Sequence, residues 1–248
     1  MLPFDKMFAF KQFAVNDVRS AHKVGTDAVL LGAWVRLDGS EKSVLDVGTG
    51  SGVIALMMAQ RTADASVLAV EIDAGSALDA RANFEVSPWN GRLFLVEADF
   101  RESGERIKKI LPAKADLIVS NPPYFTDDLR NPDARKSAAR HTDSLSYDEF
   151  LDSSAPLLSE KGRLSVVLPA EESQEFIVKA FDRGLRLRRI CRVSTKEGLP
   201  PKRSLMEFSS AKTSLEEETL AIHEINADGL QDFTPAYKAL TRDFYLKF

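Results

Sequence analysis

The residues from Val44 to Gly52, VLDVGTGSG, constrain this chain more than any other stretch. A β-branched run breaks into glycines at alternate positions, Gly48, Gly50 and Gly52, and a helical pattern begins at once with Val53. Glycine permits a left-handed tight turn and lets a ligand approach the backbone closely. The segment therefore predicts a buried strand, a loop at its carboxyl end and a helix N-terminus, the place where open α/β sheets bind nucleotides. A GxGxxG dinucleotide fingerprint would need glycine where Val53 stands, so an NAD or FAD site is matched only in part. The GxGxG spacing suits a ligand with no pyrophosphate to seat on the helix.

The same alternation continues downstream. Ser43–Val47, Val67–Ile72, Leu93–Glu97, Asp116–Ser120 and Arg163–Leu168 are short apolar runs that read as strands buried on both faces. Val53–Arg61, Ala74–Glu85, Glu102–Leu111 and Tyr147–Leu158 carry helical periodicity between them. This βαβα order needs right-handed crossovers and predicts a doubly wound α/β fold, a mostly parallel sheet with helices on both faces. Further strands are expected over Leu185–Val193, Ser204–Ser210 and Thr219–Ile225, with a break at Pro200 and Pro201. Because no helix separates them, an antiparallel C-terminal end is expected. Asp27–Trp34 reads as a short helix capped by Thr26 or Asp27, which sets the Lys23–Asp27 turn beside the ligand crevice. A length of 248 residues, 44% hydrophobic, suits one core. A single domain is expected, with an N-terminal segment over 1–43, a ligand-binding and catalytic core over 44–170, and C-terminal strands with a basic patch over 171–248.

Composition excludes several classes. No apolar run approaches the roughly 20 residues of a membrane span, and MLPFDKMFAFKQF lacks the basic start and apolar block of a secretory signal, so a cytoplasmic protein without a membrane partner is expected. The single cysteine, Cys191, rules out an internal disulfide and a cysteine-based zinc cluster, and it reads as a small buried hydrophobe. His22, His141 and His223 are scattered, so no metal site is expected. The net charge of −4 argues against a plain polycation. The charge is nevertheless polarised: Arg183 to Arg203 holds eight Lys or Arg residues against Glu197, and Arg130 to His141 holds four against Asp133.

Three carboxyl-edge features carry the chemistry. Glu71 ends the second core strand, where a carboxylate can accept ribose hydroxyl protons; its other reading is an ordinary surface acid. Asp99, at the end of the third, is placed to accept from the exocyclic amine of an adenine while Phe100 covers the ring edge; Asp99 also reads as a helix N-cap, and both roles can hold together. Asn121-Pro122-Pro123-Tyr124 follows the fourth strand. Two prolines remove backbone donors, stiffen the turn and leave carbonyls to accept. An amino group on an aromatic ring, or an amide, is a poor nucleophile because its lone pair is delocalised. If the Asn121 side-chain oxygen and the Pro122 carbonyl each accept one N–H, that nitrogen is drawn toward tetrahedral geometry and its lone pair is aimed. Tyr124 can stack on a planar base. Catalysis of this kind is positioning and electrostatic preorganisation.

VLDVGTGSG, VEID, EADF and NPPY, in this order and spacing, resemble the class I S-adenosylmethionine-dependent methyltransferases that modify planar amino groups. That resemblance implies a Rossmann-like fold and S-adenosylmethionine as cofactor. It places Asp46, Gly48, Gly50, Gly52, Glu71, Ile72, Asp99, Phe100 and Asn121 around the cofactor, and Asn121, Pro122, Pro123 and Tyr124 at the target nitrogen. FKQFAV (10–15), HKVGTDAVLLGAW (22–34), PPKRSLMEF (200–208) and DFYLKF (243–248) extend the likeness across nearly the whole chain to the bacterial tRNA(Val) adenine-37 N6-methyltransferases. By that resemblance Lys23, Val24, Gly25, Thr26 and Asp27 line the cofactor pocket and the partner is tRNA.

Arg140 and His141, together with Arg130, Arg135 and Lys136, are candidates for phosphate contact beside an everted base. Arg188, Arg189, Lys202 and Arg203, with Arg186 and Arg192, form a second candidate RNA patch; a solvated surface is the other reading of each. Two further functions are compatible with the motifs. A protein glutamine N5-methyltransferase would need a helical recognition domain ahead of the glycine turn. A noncatalytic RNA-binding domain would not need Glu71, Asp99 and Asn121. Sequence gives no oligomeric state.

Overall fold

A computed structural model describes residues 7–111, 113–122, 145–226 and 228–248. A short antiparallel hairpin, β1 (Phe8–Ala9) and β2 (Ala14–Val15), precedes α1 (Thr26–Trp34). The doubly wound core follows as β3 (Ser43–Val47), α2 (Val53–Arg61), β4 (Ser66–Glu71), α3 (Ala74–Val86), β5 (Leu93–Glu97), α4 (Gly104–Ile110) and β6 (Ala115–Ser120). Then come α5 (Tyr147–Ser154), β7 (Leu158–Pro169), α6 (Ser173–Asp182), β8 (Arg186–Lys196), β9 (Arg203–Ser209), β10 (Glu216–Ile225), β11 (Gln231–Phe233) and α7 (Pro235–Thr241).

The predicted strands and helices are present, with instructive differences at their ends. The helix expected over Tyr147–Leu158 stops at Ser154 and tightens into a 3-10 turn over Ala155–Leu157, because Pro156 cannot donate to an α-helical ladder. Its start is held by a capping box: Glu149 N donates to Ser146 Oγ, and Ser146 N donates to the Glu149 carboxylate. The N-cap of α1 is Gly25, not Thr26 or Asp27, and no side chain caps it. Asp27 instead turns to Arg203, 2.7 Å away, a strong charge pair that outweighs a cap bond.

One sheet runs in the order β11-β10-β8-β9-β7-β6-β3-β4-β5. β3, β4, β5, β6 and β7 are mutually parallel. β9 inserts antiparallel between β7 and β8. Beyond it β10 runs parallel to β8, and only β11 reverses again, so the C-terminal end is mixed, not wholly antiparallel. The charges explain this register: Arg189 and Arg192 of β8 face the acid run at the head of β10, pairing with Glu218 and Glu217.

Along the central strands alternate residues serve two cores, as two-sided burial requires. Val44, Val67, Ala69, Leu117 and Val119 face α1, α2, α3 and α7. Leu45, Leu68, Val70, Ile118 and Val166 face Ile107, Phe150 and Phe176 of α4, α5 and α6. Strand order reverses between β3 and β6, which creates a crevice beyond their carboxyl ends.

Among the described residues no helix is long and apolar enough to cross a membrane, and no group of three or more His, Cys, Asp or Glu residues could hold a metal ion. The described part of the segment before β3 holds a hairpin and one helix, not the helical recognition domain that a protein glutamine methyltransferase would need.

Candidate active site

Register brings the sequence motifs together. Val47 pairs with Val70 on one side and Ser120 on the other, and Val70 pairs with Val96. Gly48, Glu71 and Asn121 therefore leave adjacent strands at one level, neighbouring strands being about 4.8 Å apart. Ser120 fixes this alignment by donating its hydroxyl to the Val47 carbonyl at 2.8 Å while fully buried.

The glycine turn is held from below and from the side. Gly48 N and Thr49 N donate to the Val70 carbonyl at 2.9 and 3.2 Å, and Gly50 N donates to Glu71 Oε2 at 2.8 Å. Gly50 has φ 57° and a Cβ there would meet nothing within 4 Å, so this part of the turn faces open space. Gly52 has φ 88° and a Cβ there would lie 2.5 Å from Phe84 Cε1, so this glycine lets α3 pack against the turn.

Asp46 lies beneath the turn. Its Oδ2 accepts from Thr49 Oγ1 at 2.5 Å and from Ala55 N at 3.0 Å, satisfying an N–H in the first turn of α2. Its Oδ1 is buried with no hydrogen-bond partner among the described residues. Burial, opposed by the Thr49 and Ala55 bonds and reinforced by Glu71, pushes the Asp46 carboxyl up to about 7.

Glu71 is nearly buried. Oε1 accepts from Ile72 N and Asp73 N at 2.9 and 2.8 Å, and Oε2 accepts from Gly50 N. Three of the roughly four acceptor sites of a carboxylate are thus used by backbone, which leaves about one for a hydroxyl without disturbing the turn. Ile72, beside it, exposes about half of its surface and gives the crevice an apolar plate. Asp99 accepts from Arg101 N at 2.9 Å, the N-cap role, and its carboxylate is gripped side-on by the Arg101 guanidinium at 2.5–3.0 Å. That guanidinium holds the Asp99 carboxyl below the usual range and reaches Glu149 at 3.1 Å, so the Asp99 turn is tied to the N-terminus of α5. Phe100 is buried, its ring 6.1 Å from that of Phe150.

These residues fit S-adenosylmethionine by their chemistry. An open glycine backbone, a buried orphan carboxylate oxygen, an apolar plate and two acidic strand ends complement a cationic, partly apolar nucleoside.

The Lys23–Asp27 turn is tethered to the segment before it, and that segment to α3 and the glycine turn, by contacts that the motifs do not show. Val24 N donates to Asp17 Oδ2 at 2.9 Å, and Lys23 Nζ donates to the Asp17 carbonyl. Asn83 exchanges bonds with Asn16 N and O and donates to the Ser51 carbonyl inside the glycine turn, at 2.8–2.9 Å. Asp79 accepts from Arg19 N and Ser20 N. The signal in the sequence was a polar stripe of Ser76, Asp79 and Asn83 at helical spacing on the buried face of α3. Thr26, Asp27 and Arg203 line a cavity at the same edge of the sheet.

The basic residues divide. Arg188 lies 3.2 Å from the buried Glu207. Arg189 grips Glu218 at 2.7 and 3.0 Å, donates to the Trp34 carbonyl and lies 4.1 Å from the Trp34 ring centroid. The arginine-rich window is therefore largely neutralised within the fold, whereas Lys202 stands exposed at the carboxyl edge. Cys191 is buried, and burial pushes its thiol up to about 12. Pro123, Tyr124, Arg130, Arg135, Lys136, Arg140 and His141 lie outside the described residues.

Residues 13–186 match the methyltransferase small domain family. A tRNA1(Val) (adenine(37)-N6)-methyltransferase of Bacteroides fragilis is 46% identical over 240 residues, covering 97% of this chain and 98% of that protein. The Tolumonas auensis protein of the same description is 40% identical, covering 97% of each. Among solved structures, a predicted O-methyltransferase of Agrobacterium tumefaciens superposes with a TM-score of 0.66 at 20% identity, covering 88% of this chain and 96% of the other, a likeness of fold.

Proposed function

The chain belongs to the methyltransferase small domain family and, within it, to the tRNA1(Val) (adenine(37)-N6)-methyltransferases, and we propose that it methylates N6 of adenine 37 in tRNA1(Val). The supporting observation is the Val47–Ser120 register, which sets Asn121 beside the glycine turn at the strand-order reversal. S-adenosylmethionine, when bound, supplies an electrophilic methyl group on a sulfonium. Glu71 and Asp99 would hold its ribose and adenine ends, the glycine turn and Ile72 would bound its pocket, and Asp46 braces the turn from beneath through Thr49 and Ala55.

Asn121 and Pro122 do the positioning. The Asn121 side-chain oxygen and the Pro122 carbonyl accept the two N–H groups of the adenine amine, which localises its lone pair and aims it across the crevice. No strong base is required, because the nitrogen becomes acidic only after it gains the methyl group. Tyr124, with Pro123 before it in the motif, is assigned as the stacking partner of the base. Lys202, with Arg140 and His141, meets phosphates of the RNA. The reaction belongs to the cytoplasm, with tRNA as partner and the whole chain acting as one domain.

The test combines cofactor binding with nucleoside mapping. Purified protein, labelled cofactor and total tRNA from a strain lacking the gene are expected to yield N6-methyladenosine at position 37. Asn121→Ala is expected to abolish transfer while the cofactor still binds in calorimetry. Turnover at the wild-type rate in that variant would remove the mechanism.

A further inference from the structure

A cavity of about 930 Å³ opens at the same carboxyl edge, three strands from Asn121. It lies among the end of β8, the start of β9, the far half of β10, the N-terminal hairpin and the C-terminal residues. The glycine turn, Glu71 and Asp99 do not line it, whereas Thr26 and Asp27 at the start of α1 do, so it adjoins the cofactor side of the edge at the Asp27–Arg203 pair.

Its wall is aromatic. His223 and Phe233 stack with centroids 4.8 Å apart, Phe248 meets Phe233 edge-on at 5.1 Å, and Tyr245 meets Phe248 at 5.6 Å. Phe8 closes the side with 39% of its surface exposed. Lys202 and Lys247 line the cavity and are exposed to solvent. Phe233 is itself sandwiched between His223 and Tyr237, so the rings left to meet a ligand are His223, Tyr245, Phe248 and Phe8. Such rings flanked by flexible cations match a nucleobase joined to phosphates, since every base has a face to stack and its backbone carries the charge. His223 on β10 and Phe233 on β11 stand four and five strand spacings from β6, roughly 19–24 Å, a span of a few nucleotides.

The geometry points to a second base-binding site here, taking a nucleobase that neighbours the target adenine in the RNA loop. This inference rests on the RNA reading above and extends it: the everted adenine enters at Asn121, and a neighbour is clamped in the aromatic cavity. The enzyme would thereby hold the loop in an opened shape, the arrangement by which single-stranded bases are read.

The test uses an RNA hairpin carrying the target adenine, with abasic nucleotides placed singly at each neighbouring position. Binding and methylation are compared in wild-type protein and Phe248→Ala. One abasic position is expected to weaken wild-type binding roughly 5- to 150-fold, the range for loss of one base-aromatic stack. The same abasic RNA should cost Phe248→Ala little more than the intact hairpin does, and cofactor affinity should be equal in both proteins. A photoreactive base at that position should cross-link wild-type protein at Tyr245, His223 or Phe248, a readout independent of how the variant folds. Methylation of the intact hairpin tests the functional reading separately; if it fails, both ideas fall. If it succeeds while every abasic hairpin binds as the intact one does, or cross-links map elsewhere, the cavity alone is refuted. Saturable binding of free adenosine in the cavity with no effect of abasic RNA would likewise overturn the inference and reassign the site to a small molecule.

Discussion

Gly50→Ala and Gly52→Ala should separate binding from architecture within a single turn. Both positions have positive φ, so an added Cβ carries left-handed strain of about 1–2 kcal/mol, offset by about 0.4–1 kcal/mol from the stiffer unfolded chain. At Gly50 the new methyl meets nothing within 4 Å, and the net cost is expected near 1 kcal/mol. At Gly52 it meets the buried Phe84 ring at 2.5 Å and the Ala80 Cβ at 3.4 Å, so the ring must move within a packed core. Overpacking of this kind adds about 1–3 kcal/mol, giving a net loss of about 2–4 kcal/mol. For a chain of this size each kcal/mol lowers Tm by about 2–4 °C, so calorimetry should show a drop of about 3 °C for Gly50→Ala and about 5–15 °C for Gly52→Ala. Cofactor affinity should rank the other way, because only the Gly50 methyl projects into the open crevice; a loss of at least about tenfold is expected there. Phe84→Leu removes the ring atoms struck by the Gly52 methyl and should recover about 1 kcal/mol or more in a double-mutant cycle. Equal Tm losses for the two glycine variants, or additivity in the cycle, would refute this division of the turn.

Three further outcomes follow from buried polar groups. The Asp46 carboxyl, at about 7 in the fold against 3.8 in the open chain, stays protonated in the native state while the unfolded chain ionises, so it makes stability fall as pH rises from about 4 to about 7 and level off above. Asp46→Asn keeps the acceptor for Thr49 and Ala55, and should flatten that slope by up to about 4 kcal/mol in urea titrations; an unchanged slope would show that Asp46 is not the group responsible. Asn83→Ala strands its partners in the glycine turn and the N-terminal segment, and should cost about 2–4 kcal/mol and lower cofactor affinity; an unchanged melt and unchanged affinity in calorimetry would show that these bonds do not hold the turn. Arg189→Glu sets an acid against Glu218 and is expected to destabilise by about 3–5 kcal/mol in thermal melts; a stable variant with weakened RNA binding would instead return Arg189 to the surface.

Period and punctuation made the core legible. Val53–Arg61 and Ser43–Val47 could be bounded from sequence because a two-sided buried strand and a glycine turn leave few alternatives. The acid run at the head of β10 was not legible as strand, since three consecutive glutamates look solvated until the arginines of β8 are laid beside them. For the same reason the pairing inside the basic window was not legible: a linear sum of charges cannot show that Glu207, Glu217 and Glu218 lie within reach of Arg188, Arg192 and Arg189.

The chain by itself determined which groups exist at the strand ends and in what order, because local spacing dictates turns, helix starts and the alternation of faces. The tertiary structure decided which of those groups meet. Glu71 reaches Gly50, Asn83 reaches Ser51, and Asp27 is turned to Arg203 through contacts between residues 21 to 176 positions apart. Such pairings depend on sheet register and on the competition of each buried charge for the nearest partner, and neither quantity is local in sequence.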